Sequence, residues 1–427
     1  MDNQRVYFVI DMKSFYASCE CSLRGLDPYT TNLAVADPER TEKTICLAIS
    51  INMKKLGVKN RCRLFQIPKN IDFICAKPRM QKYIDMSAEI YGIYLKYIDK
   101  KDIHVYSIDE CFIDVTDYLK LYNIKAKPFA KMLMAEIWDK LHIPSTCGIG
   151  TNLYLAKIAL DITAKHSKDR IGWLTEEKFI KELSNHKPIT DFWRISSGTA
   201  RRLAKYCVYD MEGIRNLDPE ILYHEFGIDA ELMIDHANGI ETCLMEDIKN
   251  YKSSGKSISE SQILPCGYSY NDSLIVLKEM VRQACLRLFK NNYVTNSISI
   301  GIGYDDIKEG YEGYSTTMTV TTSLYSFIVK YVEELFKNIK YRNFKIRRIG
   351  FSLNALDIKY EHYDLFTNLE DVEKEKRLMN SMLNIKDKFG KNSVLEAMDY
   401  LDNATQRERN MMIGGHASGD DGKRKTS

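Results

Sequence analysis

The chain has 427 residues, too many for one ordinary hydrophobic core, so two to four domains are expected. Its composition, 44% hydrophobic and 28% charged, excludes a disordered or fibrous chain. A net charge of +3 excludes a uniformly basic protein, so any contact with nucleic acid has to come from local patches.

"RVYFVID" reads as a buried strand that ends on an acid, Asp11, and "FYASCECSL" as the helix after it. "NLAVAD" and "TICLAIS" are short strands, and "INMKKLGVKN" is a helix closed by Gly57. "QKYIDMSAEIYGIYLKYI" places apolar residues at helical spacing, and "IHVYSIDECFIDVTDY" is a hairpin-like strand pair. "FAKMLMAEIWDKLH" is a helix, "STCGIGT" a strand and turn, and "NLYLAKIALDITAKHS" a further helix. This alternation predicts a sheet with helices packed against it. From about residue 175 to 238 the pattern is all-helical. Residues 250–261, "NYKSSGKSISES", lack core formers and read as a linker. After them the order is β-α-β-β-α-β, the mark of a second, smaller α+β domain. Beyond Lys359 the chain is helical and charged, and "GGHASGDDGKRKTS" is too poor in apolar residues to order itself.

Eleven cysteines without a C-x-x-C pair argue against zinc and for reduced thiols in a cytoplasmic setting. The N-terminus has no leader pattern, and no stretch approaches the ~20 apolar residues of a membrane span.

Asp109 and Glu110 interrupt the apolar run "VYSIDECFID". Burying adjacent carboxylates costs several kcal/mol unless a positive charge meets them. Strands lie ~4.8 Å apart, so Asp11 and this pair can share one ion cluster. Mg²⁺ takes one or two protein carboxylates and completes its shell with phosphate and water, and two ions ~3.5–4 Å apart clamp an in-line phosphoryl transfer. The same residues read equally as solvated strand ends, and spacing alone does not separate the two.

At these residues the sequence resembles the Y-family of translesion DNA polymerases, in particular its UmuC-like branch of the UvrX type in Gram-positive bacteria and their mobile elements. The similarity covers about the first 415 residues and rests on "FVIDMKSFYASCE", "YSIDECFID", "CGIGTNLYLAKIALDITAK" and "KIRRIGFSLN", in that order. It implies an α+β right-hand fold. The palm would comprise residues 1–14 and 80–168, the fingers 15–79 and the helical thumb 169–245. A linker over 246–261, an α+β little finger over 262–357 and a tail over 358–427 would follow. It also implies that Asp11, Asp109, Glu110 and the Met12 carbonyl hold two Mg²⁺, that the attacking group is a primer 3′-hydroxyl on a dNTP, and that no proofreading domain is present. Phe15 and Tyr16 would lie under the incoming sugar, with Tyr16 as the gate against a ribose hydroxyl. Lys54 and Lys165 would meet the triphosphate. Ile51 stands where the family's tyrosine usually does, and Leu153 where a lysine is common; Lys157, which is retained, gets a structural or DNA-proximal role.

"FWRISSGTARRLAKYCVYDMEGI" resembles the family's helix-hairpin-helix, with Gly198, Arg201 and Arg202 toward DNA; a solvated basic helix is the alternative. In residues 337–348, six of twelve are Lys or Arg. Lys345 and Arg347 alternate onto one strand face, with Arg348 beside them, which suits phosphate contacts or, alternatively, a charged edge strand. "HYDLF", on a polar and mobile segment, resembles a bacterial clamp-binding motif with Leu365 and Phe366 as anchors, or else the two residues cap the tail helix. A UmuD-like accessory protein is a further expected partner. The rival readings are a non-catalytic DNA-binding or regulatory relative that keeps the fold, and a palm-like nucleotidyl cyclase.

Overall fold

The computed structural model describes residues 4–253, 255–305 and 310–419. They form two compact units, 1–251 and 252–427. Among the described residues no helix is long and apolar enough to cross a membrane.

In the first unit the apolar run Tyr7–Met12 is a strand with a nearly wholly buried pattern, as expected for the centre of a sheet covered on both faces. It pairs antiparallel with Glu110–Asp114 on one side and with Ser145–Gly150 on the other. Ile103–Val105 and Ile171–Leu174 complete the five-stranded sheet at its two edges. The helices Met80–Tyr94 and Ala126–Leu141 bury Tyr83, Ile90, Ile93, Phe129, Leu133 and Ile137. A small sheet of Ala48–Ile49, Leu33–Val35 and Ile74–Ala76 builds its own core around Ile49, Met53 and Cys46. From Glu176 to Ala237 the chain is helical, in short pieces, around Phe179, Phe192, Leu203 and Ile214.

The reading of "NLYLAKIALDITAKHS" as one regular helix needs correction. Leu153–Ile158 is α-helical, Ala159–Thr163 is a π-turn, and Ala164–His166 resumes the helix. Thr163 Oγ1 donates to the Ala159 carbonyl at 2.7 Å, and a Cβ on Gly172 would lie 2.1 Å from that Oγ1, so the widened turn seats on the Ile171–Leu174 strand.

The second unit follows the expected β-α-β-β-α-β order. Its strands run Tyr311–Thr322, Tyr293–Tyr304, Ile346–Asn354 and Ser257–Tyr268 across the sheet. Tyr270–Lys290 and Tyr325–Lys337 cover one face through Val276, Met280, Ile328 and Val332. The linker expected over residues 246–261 is too long. Met245–Asn250 is a helix, and Ser257 already opens a strand, whose serines pair in register with Asn354 and Ser352. Polar side chains misled the reading because this strand faces a core on one side only. The tail packs on the domain through Val372, Met379 and Met382. Within "GGHASGDDGKRKTS", Gly414 and Gly415 turn a two-residue hairpin that pairs Ile413 with His416; residues 420–427 lie outside the described residues.

Candidate active site

Asp11 and Glu110 are directly opposite each other in the antiparallel pair, so their side chains leave the same face of the sheet. Asp109 sits on the bend just before that strand, and its carbonyl accepts the Met12 N–H at 3.0 Å. Being outside the regular strand, it escapes the alternation that would send it to the opposite face. Burial first, then the nearby Asp109 and Glu110 charges, push the Asp11 carboxyl up to about 8. Such a site is short of positive charge.

The positive charge present belongs to Lys157, whose Nζ lies 2.8 Å from Glu110 Oε1, 2.9 Å from Oε2 and 3.2 Å from Asp161 Oδ1. Burial raises the Glu110 carboxyl and Lys157 offsets part of that; burial would lower the Lys157 ammonium, but Glu110 and Asp161 more than reverse it. Two glycines put this lysine in place. A Cβ on Gly148 would lie 2.0 Å from the Ala156 carbonyl oxygen, and one on Gly150 2.1 Å from the Ala156 nitrogen, so "CGIG" lets the helix lie directly on the strand next to Asp11. Asn152 caps that helix, accepting the Leu155 N–H at 2.8 Å. Leu153 packs with Tyr7, Val9 and Phe112, so the departure from lysine there serves the core.

Asp109 Oδ1 accepts the Ser107 hydroxyl at 2.7 Å while Glu110 turns to Lys157, and among the described residues no group of three His, Cys, Asp or Glu is placed to hold a metal ion. The donors themselves are hard carboxylate and carbonyl oxygens, which suit Mg²⁺, and the upward push on Asp11 is relieved by a cation.

Phe15 is buried, and Tyr16, the next residue of the same helix, is half-buried, its ring 5.8 Å from that of Phe15. Lys54 lies on the helix Ile51–Lys55, whose first residue is Ile51. Burial holds the Lys54 ammonium below its usual range, Asp11 raises it and Lys165 lowers it again, so the two expected lysines and the first acid lie in one another's field. Sequence reading missed two more cations. Lys13 is lowered by burial and then by Arg170 and Lys54. Arg170 bonds the Tyr29 hydroxyl and stands 5.7 Å over its ring, with Lys55 6.0 Å away over the same ring. The spacing of Lys13, two residues after Asp11, was a usable signal; Arg170 had none.

In the helical segment, Ser196, Gly198, Thr199, Arg201, Arg202 and Lys205 line a groove of about 500 Å³. Arg194 has φ 72°, in the left-handed backbone region that favours glycine. Ser196 caps the Ser197–Ala204 helix. Arg202 and Lys205 share Glu225 at 2.8 and 3.2 Å.

In the second unit Lys345 and Arg347 flank the buried Ile346, and alternation breaks only beyond it, at Arg348. A bulge falls between Ile346 and Arg348, so Ile346 and Ile349 both point into the core, Arg347 is half-buried, and Lys345 and Arg348 are exposed. Strict alternation fails where one extra residue is inserted. The "HYDLF" segment is not a loose one: His362 pairs with Thr321, Tyr363 bonds Thr322 at 3.0 Å, and Asp364 accepts the Phe366 N–H at 3.1 Å. Leu365 and Phe366 are 100% and 96% exposed, so they do not cap the tail helix.

The impB/mucB/samB family model matches residues 10–161, and the model of that family's C-terminal domain matches 255–365. The chain is 31% identical over 415 residues to UvrX of Bacillus subtilis, named for UV-damage repair, covering 96% of this chain and 97% of that one. It is 29% identical over 426 residues to DNA polymerase IV 2 of the same organism, covering 97% and 100%. Among solved structures, a Y-family DNA polymerase chimera built on Dbh superposes with a TM-score of 0.65 at 23% identity, over 82% of this chain and 98% of that one. That likeness carries the fold, a palm, fingers and thumb with a separate little-finger domain. The chain belongs to the impB/mucB/samB family, the UmuC- and DinB-like Y-family DNA polymerases.

Proposed function

We propose that this protein is a DNA-directed DNA polymerase that extends a primer across damaged template by two-Mg²⁺ nucleotidyl transfer, without proofreading. The observation that carries the reading is the Asp11–Glu110 register with Asp109 at its mouth, in a site short of positive charge. Asp11, Asp109, Glu110 and the Met12 carbonyl would hold the two ions, which supply charge neutralisation at the attacking and leaving oxygens. Lys54 and Lys165, with Lys13 and Arg170 nearby, meet the triphosphate as fixed cations. Phe15 and Tyr16 form the floor under the sugar, and Tyr16 excludes a ribose hydroxyl.

DNA is held by backbone and charge without base readout. Gly198, Arg201 and Arg202 contribute the thumb groove, and Lys345, Arg347 and Arg348 the little-finger strand. Arg202 gives less than its full charge, since Glu225 already holds it. Leu365 and Phe366, fully exposed on a fixed turn, dock on the bacterial sliding clamp; a UmuD-like subunit is a second partner. Such a tether raises the effective concentration of a weakly processive enzyme at the primer end. The setting is the cytoplasm.

Primer extension on undamaged and lesion-bearing templates, with and without Mg²⁺, tests the proposal. Extension that requires Mg²⁺ and template supports it. DNA binding without extension leaves the regulatory relative, and cyclic-nucleotide formation without a primer leaves the cyclase.

A further inference from the structure

Tyr16 is held by a residue that no motif marks. Its ring stacks on that of Tyr83, centroids 4.8 Å apart and planes 28° apart. Tyr83 is fully buried on the helix Met80–Tyr94, and its hydroxyl donates to Glu20 Oε1 at 2.7 Å. Glu20 is itself fully buried, four residues after Tyr16 on the helix Phe15–Ser22, so the two share one helix face and meet Tyr83 together. The carboxylate is clamped by Arg79, Nε to Oε1 at 3.0 Å and Nη2 to Oε2 at 2.6 Å, and by Arg24 Nη1, which also donates to the Glu20 carbonyl at 3.0 Å.

A buried carboxylate with two guanidiniums and a phenol leaves little freedom to any partner, because breaking one bond orphans a desolvated charge. Burial pushes the Tyr83 phenol up to about 12, so it stays a donor to Glu20 across the working pH range. Among the described residues the Tyr16 hydroxyl has no comparable anchor; the position of its ring is set by stacking on Tyr83 and by contact with Phe15.

We propose that Tyr83, fixed by Glu20 and Arg79, is the positioning residue that sets sugar selection, by holding the Tyr16 ring where a ribose hydroxyl would go. This rests on the reading of Tyr16 as the gate. A gate discriminates one oxygen atom, so a ring free to shift by about 1 Å loses most of its effect. Tyr83 touches neither the acids nor the cation cluster, so deoxynucleotide turnover does not depend on it.

The test is single-nucleotide insertion by the full chain, reading kcat/KM for a ribonucleotide over that for the matching deoxynucleotide. Tyr16→Ala should raise this ratio strongly. Tyr83→Ala should raise it by roughly tenfold or more, and Tyr83→Phe, which keeps the ring and loses only the Glu20 bond, by roughly threefold, both with deoxynucleotide kcat within a few-fold of the parent. The double variant should show no higher ratio than Tyr16→Ala alone, because both changes release the same ring. If Tyr83→Ala does not fold, Tyr83→Phe carries the test. A raised ratio in Tyr16→Ala beside parental ratios in the Tyr83 variants overturns the anchor and leaves the gate. A parental ratio in Tyr16→Ala removes the gate, and the anchor with it. Fully additive effects also overturn the anchor.

Discussion

Lys157→Met should expose the balance of charge beneath the acids. Lys157 and Glu110 are each about nine-tenths buried at their side chains, 9% and 10% exposed, and Nζ is within 3 Å of both carboxylate oxygens. Methionine fills nearly the same volume, so the change removes the charge and little packing. Removing one partner of a buried pair costs about 3–5 kcal/mol. Here Glu110 can take up a proton and Asp161 is 29% exposed, so we expect about 2–4 kcal/mol at neutral pH without metal. For a unit of 251 residues that is a fall of roughly 5–10 °C in Tm. The sign with pH follows from Glu110, whose carboxyl burial already raises. Without Lys157 its folded value rises further above the unfolded one. The penalty is then absent below the unfolded value, near pH 4.5, and grows as pH rises through the folded value. Differential scanning calorimetry of parent and variant between pH 5 and 8, with and without Mg²⁺, is the assay. The gap should be widest at pH 8 without Mg²⁺. It should narrow with the ion, which at ten times its Kd stabilises by about 1.4 kcal/mol. Equal Tm values at every pH, or a gap that ignores both pH and Mg²⁺, would refute the account of Lys157 as the counter-charge to Glu110.

Asp109→Ala should lower primer extension by about 10³-fold or more while DNA affinity stays near parental, since among the described residues its side chain holds only the Ser107 hydroxyl; steady-state extension beside fluorescence anisotropy checks this, and near-parental extension would sink the catalytic assignment. Replacing Lys345, Arg347 and Arg348 together with alanine should weaken primer-template binding without sequence preference and reduce the log Kd against log salt slope by about one for each phosphate no longer neutralised. Arg348→Ala alone should cost more than Arg347→Ala, because the bulge leaves Arg347 half-buried; a salt titration giving the triple variant the parental slope would make these residues an exposed edge only. A full chain carrying Leu365→Ala and Phe366→Ala should lose binding to purified sliding clamp by at least about tenfold in calorimetry while its Tm stays within about 1–2 °C, since both side chains stand in solvent; equal binding by parent and variant would remove the clamp assignment.

Local pattern was enough for the order of elements and the second domain's β-α-β-β-α-β path, and it singled out Asp11, Asp109 and Glu110 without telling a metal site from solvated strand ends, because periodicity and strand-ending charges are properties of neighbouring residues. The resemblance of four ordered motifs was enough for the family. What local pattern misjudged was local geometry under tertiary pressure: the π-turn at Ala159–Thr163, the bulge beside Arg347, and a serine-rich strand mistaken for linker. Each depends on what the backbone packs against, and a single segment does not carry that information. The partners of the acids were out of reach for the same reason. Lys157 meets Glu110 across 47 residues, and Tyr83 meets Glu20 across 63. Only folding makes such pairs neighbours, and only burial gives them their energy, since the same charges in water would be worth little.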